Sequence, residues 1–145
     1  MEWRKISSGS SRNLTYVTYE YHGEYIHAAR IMGTVGKEER FPFIKFALDL
    51  NTSENFFSIF DNRDNHDSVI TYVQLLYFGD IFREAGIRRV FTVSVTPDDS
   101  IAPVNRLMEA VADTKAIHAE AFSTPDYDQA RDFIMSRITK VTSGT

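Results

Sequence analysis

Arg88-Arg89-Val90-Phe91-Thr92-Val93-Ser94-Val95 carries the reading of the fold. Val90 to Val95 is a short, β-branched, largely apolar run. Such runs form interior strands, covered on both faces, rather than strands with one wet side. On its C-terminal side Asp98-Asp99-Ser100 supplies helix-capping oxygens, and Pro103 fits the first turn of the helix they open. Val104, Leu107, Met108 and Val111 supply that helix's buried face. His118 to Phe122 then reads as another strand. Strand, helix and strand in this order form a right-handed crossover between parallel strands. Ser123-Thr124-Pro125 opens a last helix, with Pro125 at its first position and Asp126 near the positive end of the dipole. Ala130, Phe133, Ile134 and Ile138 give it one apolar stripe, and residues 141–145 read as a frayed end.

On the N-terminal side the same alternation continues. A polar loop, Asp61 to Ser68, ends as a helix cap in which Asp67 or Ser68 accepts from an orphan N–H. The helix runs to Ala85 and closes on Gly86-Ile87, a Schellman ending. Val69, Val73 and Leu76 lie on one side of it, and Leu75, Phe78 and Phe82 on another. A helix apolar nearly all round is buried or has a partner. Phe56 to Phe60 is a short strand. Lys37 to Leu50 is a helix with Phe41, Ile44 and Leu48 on one face, and Pro42 is assigned to its first turn. Leu14–Tyr21 and Tyr25–Met32 form a hairpin turning on His22-Gly23. The expected order is β-β-α-β-α-β-α-β-α, a mixed sheet of four to five strands with about four helices. An N-terminal arm (1–13) precedes one domain (14–138), and a tail (139–145) follows.

One domain suits 145 residues at roughly 100–200 residues per domain. Eleven Phe and seven Tyr supply a ring-rich core, or rings that line a pocket or partner surface. The absence of cysteine excludes disulfides and thiolate zinc sites. No apolar run is long enough for a membrane span, and Met1 to Asn13 lacks the apolar region of a signal peptide. A cytoplasmic location is the expectation. A formal charge of −4, with Arg88-Arg89 as the longest basic run, argues against nucleic acid.

This layout resembles the STAS (SpoIIAA-like) fold of bacterial anti-sigma-factor antagonists, whose architecture is similar to that of CRAL-TRIO lipid carriers. The resemblance covers Leu14 to Arg137. It rests on Tyr25–Met32 with Gly33-Thr34-Val35, on Arg89–Val95, and on Phe122-Ser123-Thr124-Pro125 with Ala130 and Ile134. It implies a non-enzymatic signalling or protein-interaction module without a cofactor. In the antagonists a serine at a helix N-terminus, in a pattern like Asp-Ser-(Ser/Ala)-Gly, is phosphorylated to break partner binding. The matching residues here are Asp67-Ser68-Val69-Ile70, which keep the Asp and Ser but not the small residue or the glycine. Phosphate suits a helix N-terminus, and a plain helix cap suits the same two residues. On this reading Ser68, Asp67, Asp64, Asp61 and Tyr72 face a protein partner.

Asp61, Asp64 and Asp67 repeat every third residue, but Arg63 and His66 stand where a calcium loop needs an oxygen ligand and a glycine. A solvated loop fits better than a metal site. His22, His27, His66 and His118 have no helical pairing, and no nucleophile elbow or phosphate-binding loop is present. No catalytic residue is therefore assigned, and an enzyme ranks third. The second expectation is a carrier or sensor of a small, lipid-like hydrophobic ligand, lined by Phe41, Phe43, Phe46, Leu75, Phe78 and Phe82. The same rings also suit a filled core, or self-association as a homodimer.

Overall fold

The computed structural model describes residues 2–143. Met1 of the expected arm, and Gly144 and Thr145 of the expected tail, lie outside the described residues. Six strands and four helices alternate as β1 (Arg4–Ser11), β2 (Leu14–Tyr21), β3 (Glu24–Ile31), α1 (Lys37–Leu50), β4 (Asn55–Asp61), α2 (Tyr72–Glu84), β5 (Arg89–Val95), α3 (Ala102–Thr114), β6 (His118–Thr124) and α4 (Tyr127–Thr142). The strands lie in sequence order within one mixed sheet. β1, β2 and β3 pair antiparallel, and β3 to β6 run parallel.

Three parallel crossovers that step the same way place α1, α2 and α3 on one face of the sheet. Helix α4, which follows the last strand, covers the other. The strand period of two then sorts the core. Ile26, Phe57, Ile59, Phe91, Val93 and Val95 pack against Ala130, Ile134 and Ile138 of α4. On the opposite face Leu14, Tyr16, Ala29 and Ile31 meet Phe43, Ile44 and Phe78, while Phe56 and Val90 meet Ala47 and Ala112. Both faces of β4 and β5 are covered, as their apolar sequences require.

The expected arm is instead a strand, which raises the count to six. β1 is Arg-Lys-Ile-Ser-Ser-Gly-Ser-Ser, an edge strand with no fully buried residue and a register shift between Lys5 and Ser7. Polar edges of this kind protect a sheet from further pairing, and they carry no hydrophobic alternation to read. Gly9 has a positive role: a Cβ there would stand 2.7 Å from the Tyr16 ring. The β2–β3 turn places His22 and Gly23 both at positive φ, 52° and 80°, the geometry of a two-residue hairpin.

Helix boundaries differ in four places. Pro42 is the sixth residue of α1 and lies inside it, because Gly36 fixes the start: its N–H donates to Glu39 Oε1 at 2.7 Å. α2 begins at Tyr72, not after Ser68. Thr71 Oγ1 accepts from Gln74 N at 3.2 Å and Gln74 Oε1 accepts from Thr71 N at 3.0 Å, a reciprocal cap stronger than a lone side chain. Asp67 and Ser68 therefore cap nothing; their backbone runs beside Val35, with Val35 N to Asp67 O at 2.9 Å and Val69 N to Val35 O at 2.8 Å. Ile101 precedes α3 without a side-chain cap, and Asp98 Oδ1 accepts from Ser100 N within the loop instead. Asp126 caps α4, which puts Pro125 outside the helix and carries the helix through most of the expected tail. The end of α2 follows the sequence: Gly86 takes φ 85°, and Ile87 N donates to Phe82 O at 3.0 Å.

Candidate functional site

The three-helix face does not close over β4 and β5. Phe56, Ser58 and Phe60 of β4 and Val90 and Thr92 of β5 form a floor, alternate residues of adjacent strands. Each helix contributes residues at i, i+3 and i+4, one face of a turn: Arg40, Phe43 and Ile44 from α1; Leu75, Phe78 and Gly79, then Phe82, from α2; Met108, Val111 and Ala112 from α3. Between them lies a cavity of about 120 Å³. Its size follows from the small residues on its wall, Gly79, Ala112 and Ala119. Its polar floor is Ser58 and Thr92, with Ser58 Oγ donating to Thr92 Oγ1 at 2.9 Å.

A smaller space of about 70 Å³ adjoins it and shares Arg40, Phe60, Ile70, Leu75, Thr92 and Met108. It lies at the carboxyl ends of β3, β4 and β5, where Ile31, Asn62, Ser94 and Thr96 line it, with Ser68 from the α2 approach and Ile101, Val104 and Asn105 from the start of α3. The character changes from apolar to polar along this axis. Among the described residues no carboxylate lines either space, and Arg40 is the one basic residue in both.

Arg40 is half-buried. Its Nη1 donates to Val69 O at 2.8 Å and its Nη2 to Ser68 Oγ at 2.5 Å. No carboxylate lies within 4.0 Å of it among the described residues. Burial pushes its pKa down to about 10, against the raising influence of Glu39. Asn105 is 7 % exposed, and its side-chain amide has no hydrogen-bond partner among the described residues.

Of the six side chains expected to line a ligand site, Phe43, Leu75, Phe78 and Phe82 stand on the wall of the larger space. Phe41 and Phe46 do not, because they fall outside the helical phase of Arg40, Phe43 and Ile44. Phe46 packs on Tyr16 at 4.8 Å, and Phe41 is exposed with its ring 6.4 Å from Tyr77. The expected partner-facing residues scatter. Asp61 is buried and ion-paired with Arg63. Asp64 pairs with Arg30 at 2.9 Å, and that hydrogen bond holds its carboxyl below the usual range. Asp67 and Tyr72 are exposed. Ser68 turns inward to Arg40 and joins the polar space.

Sequence reasoning missed Arg40, Ser94 and Asn105. A signal existed for two of them: Arg40 interrupts the apolar phase of α1, and Asn105 sits between Val104 and Met108 on the buried face of α3. Histidines lie away from both spaces. His27 is fully buried, with Nε2 3.0 Å from Asn51 Oδ1 and Nδ1 2.9 Å from Thr18 Oγ1. The Asn51 amide donates to Ser53 O and Asn55 O, so Oδ1 faces the ring, and His27 carries its proton on Nε2. His118 pairs with Glu120 at 2.9 Å on the exposed edge. Among the described residues no three His, Asp or Glu side chains gather as metal ligands, and no helix is long and apolar enough to cross a membrane. No protein-family model matches the chain, and no curated protein matches it significantly.

Proposed function

We propose that this chain is a non-enzymatic, STAS-like binding module, a carrier or sensor that takes a small hydrophobic molecule between its sheet and α2. One observation carries the reading: the apolar cavity of about 120 Å³ against β4 and β5. Protein interiors hold few voids larger than a water molecule. Apolar walls that lack partner atoms forfeit dispersion contacts, which an apolar ligand supplies. A cavity of about 150 Å³ takes benzene, so the occupant is on the scale of one ring or a short chain. The test is a benzene titration followed by methyl NMR. Leu75, Val90 and Val111 should shift in a saturable way, and unmoved methyls at saturating benzene refute the reading.

A second reading, a protein-interaction module, is favoured by a different observation. Tyr72 is 54 % and Val73 71 % exposed, and Val69, Tyr77 and Phe41 stand exposed beside them. Exposed apolar patches of this kind mark interfaces. A second copy of the chain is the simplest occupant. Sedimentation should show a dimer that Val73→Lys dissociates, and a monomer at high concentration counts against it.

A further inference from the structure

Resting on the ligand-binding reading above, we infer that the bound molecule carries a carboxylate, seated in the smaller space between Arg40 and the first turn of α3. Four independent features meet there. Arg40 faces both spaces with no acidic partner within 4.0 Å among the described residues. The α3 helix, 13 residues long, starts on this space at Ile101 and Val104, with no side-chain cap and no acidic residue in its first turn, and the carboxylate of Asp98 is turned to Ser100 N in the preceding loop. Asn105 is more than nine-tenths buried, lines the space, and leaves its amide unpaired. Ser94, across from it on β5, likewise has a hydroxyl without a partner among the described residues.

The Asn105 amide opens on this space without a protein partner among the described residues, and a ligand oxygen accepts from its N–H there. The charge count selects the anion. One guanidinium plus roughly half a charge from the helix dipole favours an anion over an uncharged head, and the space of about 70 Å³ suits a small planar carboxylate better than a tetrahedral phosphate. The guanidinium fork also matches the planar carboxylate. The apolar end then receives the rest of the molecule. By comparison with the benzene-sized cavity, the two spaces together take about eight non-hydrogen atoms.

Hexanoate and hexan-1-ol, equal in chain length, separate the head from the tail. Both are titrated against the full chain and followed by the Leu75, Val90 and Val111 methyls. Hexanoate should bind about tenfold more tightly than hexan-1-ol, the scale of one charge-assisted pair. Arg40→Met should abolish that preference while changing hexan-1-ol affinity less than about threefold. Asn105→Ala should weaken hexanoate alone. Equal binding of the two probes to the unaltered chain overturns the carboxylate and leaves the apolar reading standing. Binding of neither overturns both. Hexyl phosphate binding more tightly than hexanoate overturns the choice of anion. Should Arg40→Met fail to fold, the hexanoate to hexan-1-ol ratio in the unaltered chain decides the matter.

Discussion

Ala112→Leu tests whether the cavity against β4 and β5 exists in solution, because its sign differs between the alternatives. Ala112 is buried on α3 and lines the cavity. Leucine adds three carbons there. At about 0.8 kcal/mol per buried CH₂, a space that accepts them raises unfolding free energy by about 2 kcal/mol. A closed core instead loses about 1–3 kcal/mol to overpacking. Ala47 provides the contrast: it is fully buried in the same apolar cluster but lines neither space. Ala47→Leu should therefore destabilise by the overpacking amount. Urea unfolding of refolded, ligand-free protein measures both, with an unchanged m-value as the condition for comparing midpoints. Ala112→Leu should also weaken hexan-1-ol by about tenfold or more, since the side chain occupies its place. Loss of stability in both variants, with hexan-1-ol binding intact in Ala112→Leu, refutes the cavity argument.

Two further outcomes concern stability alone. Burial drives the His27 imidazole from 6.5 to about 4, against the raising effect of its Asn51 hydrogen bond. Between those values the unfolded chain holds a proton that the folded chain refuses. This contribution is therefore fully present above about pH 6.5 and is lost as pH falls toward 4. Its full scale is on the order of 3 kcal/mol, so urea unfolding at pH 7 and pH 5 should differ by about 2 kcal/mol more in the unaltered chain than in His27→Leu; parallel behaviour refutes the assignment. Pro42 leaves the Glu38 carbonyl without its helical donor inside α1. Pro42→Ala should stabilise by about 1–2 kcal/mol in the same assay, and a loss would show that the proline holds a conformation the helix needs.

What the sequence displayed and what it hid divide along a physical line. Val90 to Val95, the His22-Gly23 turn and the Gly86-Ile87 ending are each set by local chemistry, and each forms where the residues indicate. β1 was illegible because an edge strand buries too little to need apolar residues. The α2 start differs from the one read at Asp67 or Ser68 because Thr71, with Gln74 three residues on, makes the reciprocal cap instead. Only the pairing of Asp67 and Val69 with Val35, distant in sequence, decides among them. The site was half legible for the same reason. Phe43, Leu75, Phe78 and Phe82 announce an apolar lining, but the cavity itself arises where Gly79, Ala112 and Ala119 converge from three elements. Small residues carry no pattern of their own.

The apolar residues of helix α2 form no single stripe, and the fold gives each side a separate task. Leu75, Phe78 and Phe82 look inward on the cavity, while Tyr72, Val73 and Tyr77 look outward. The approach to this helix is held by Arg40, which donates to Val69 O and Ser68 Oγ from the same guanidinium that faces the polar space. A carboxylate in that space competes for those donors. On the proposal that a carboxylate binds there, Arg40 would release Val69 and Ser68 to the extent that it binds the anion, leaving the two backbone bonds to Val35 to anchor the segment. Linkage makes the effect reciprocal: whatever docks on Val73 and Tyr72 and fixes this segment changes the affinity for the anion by the same factor. The ligand-binding and interaction readings are thus two sides of one helix, and hexanoate affinity measured with the docking face engaged and with Val73→Lys would give their coupling directly.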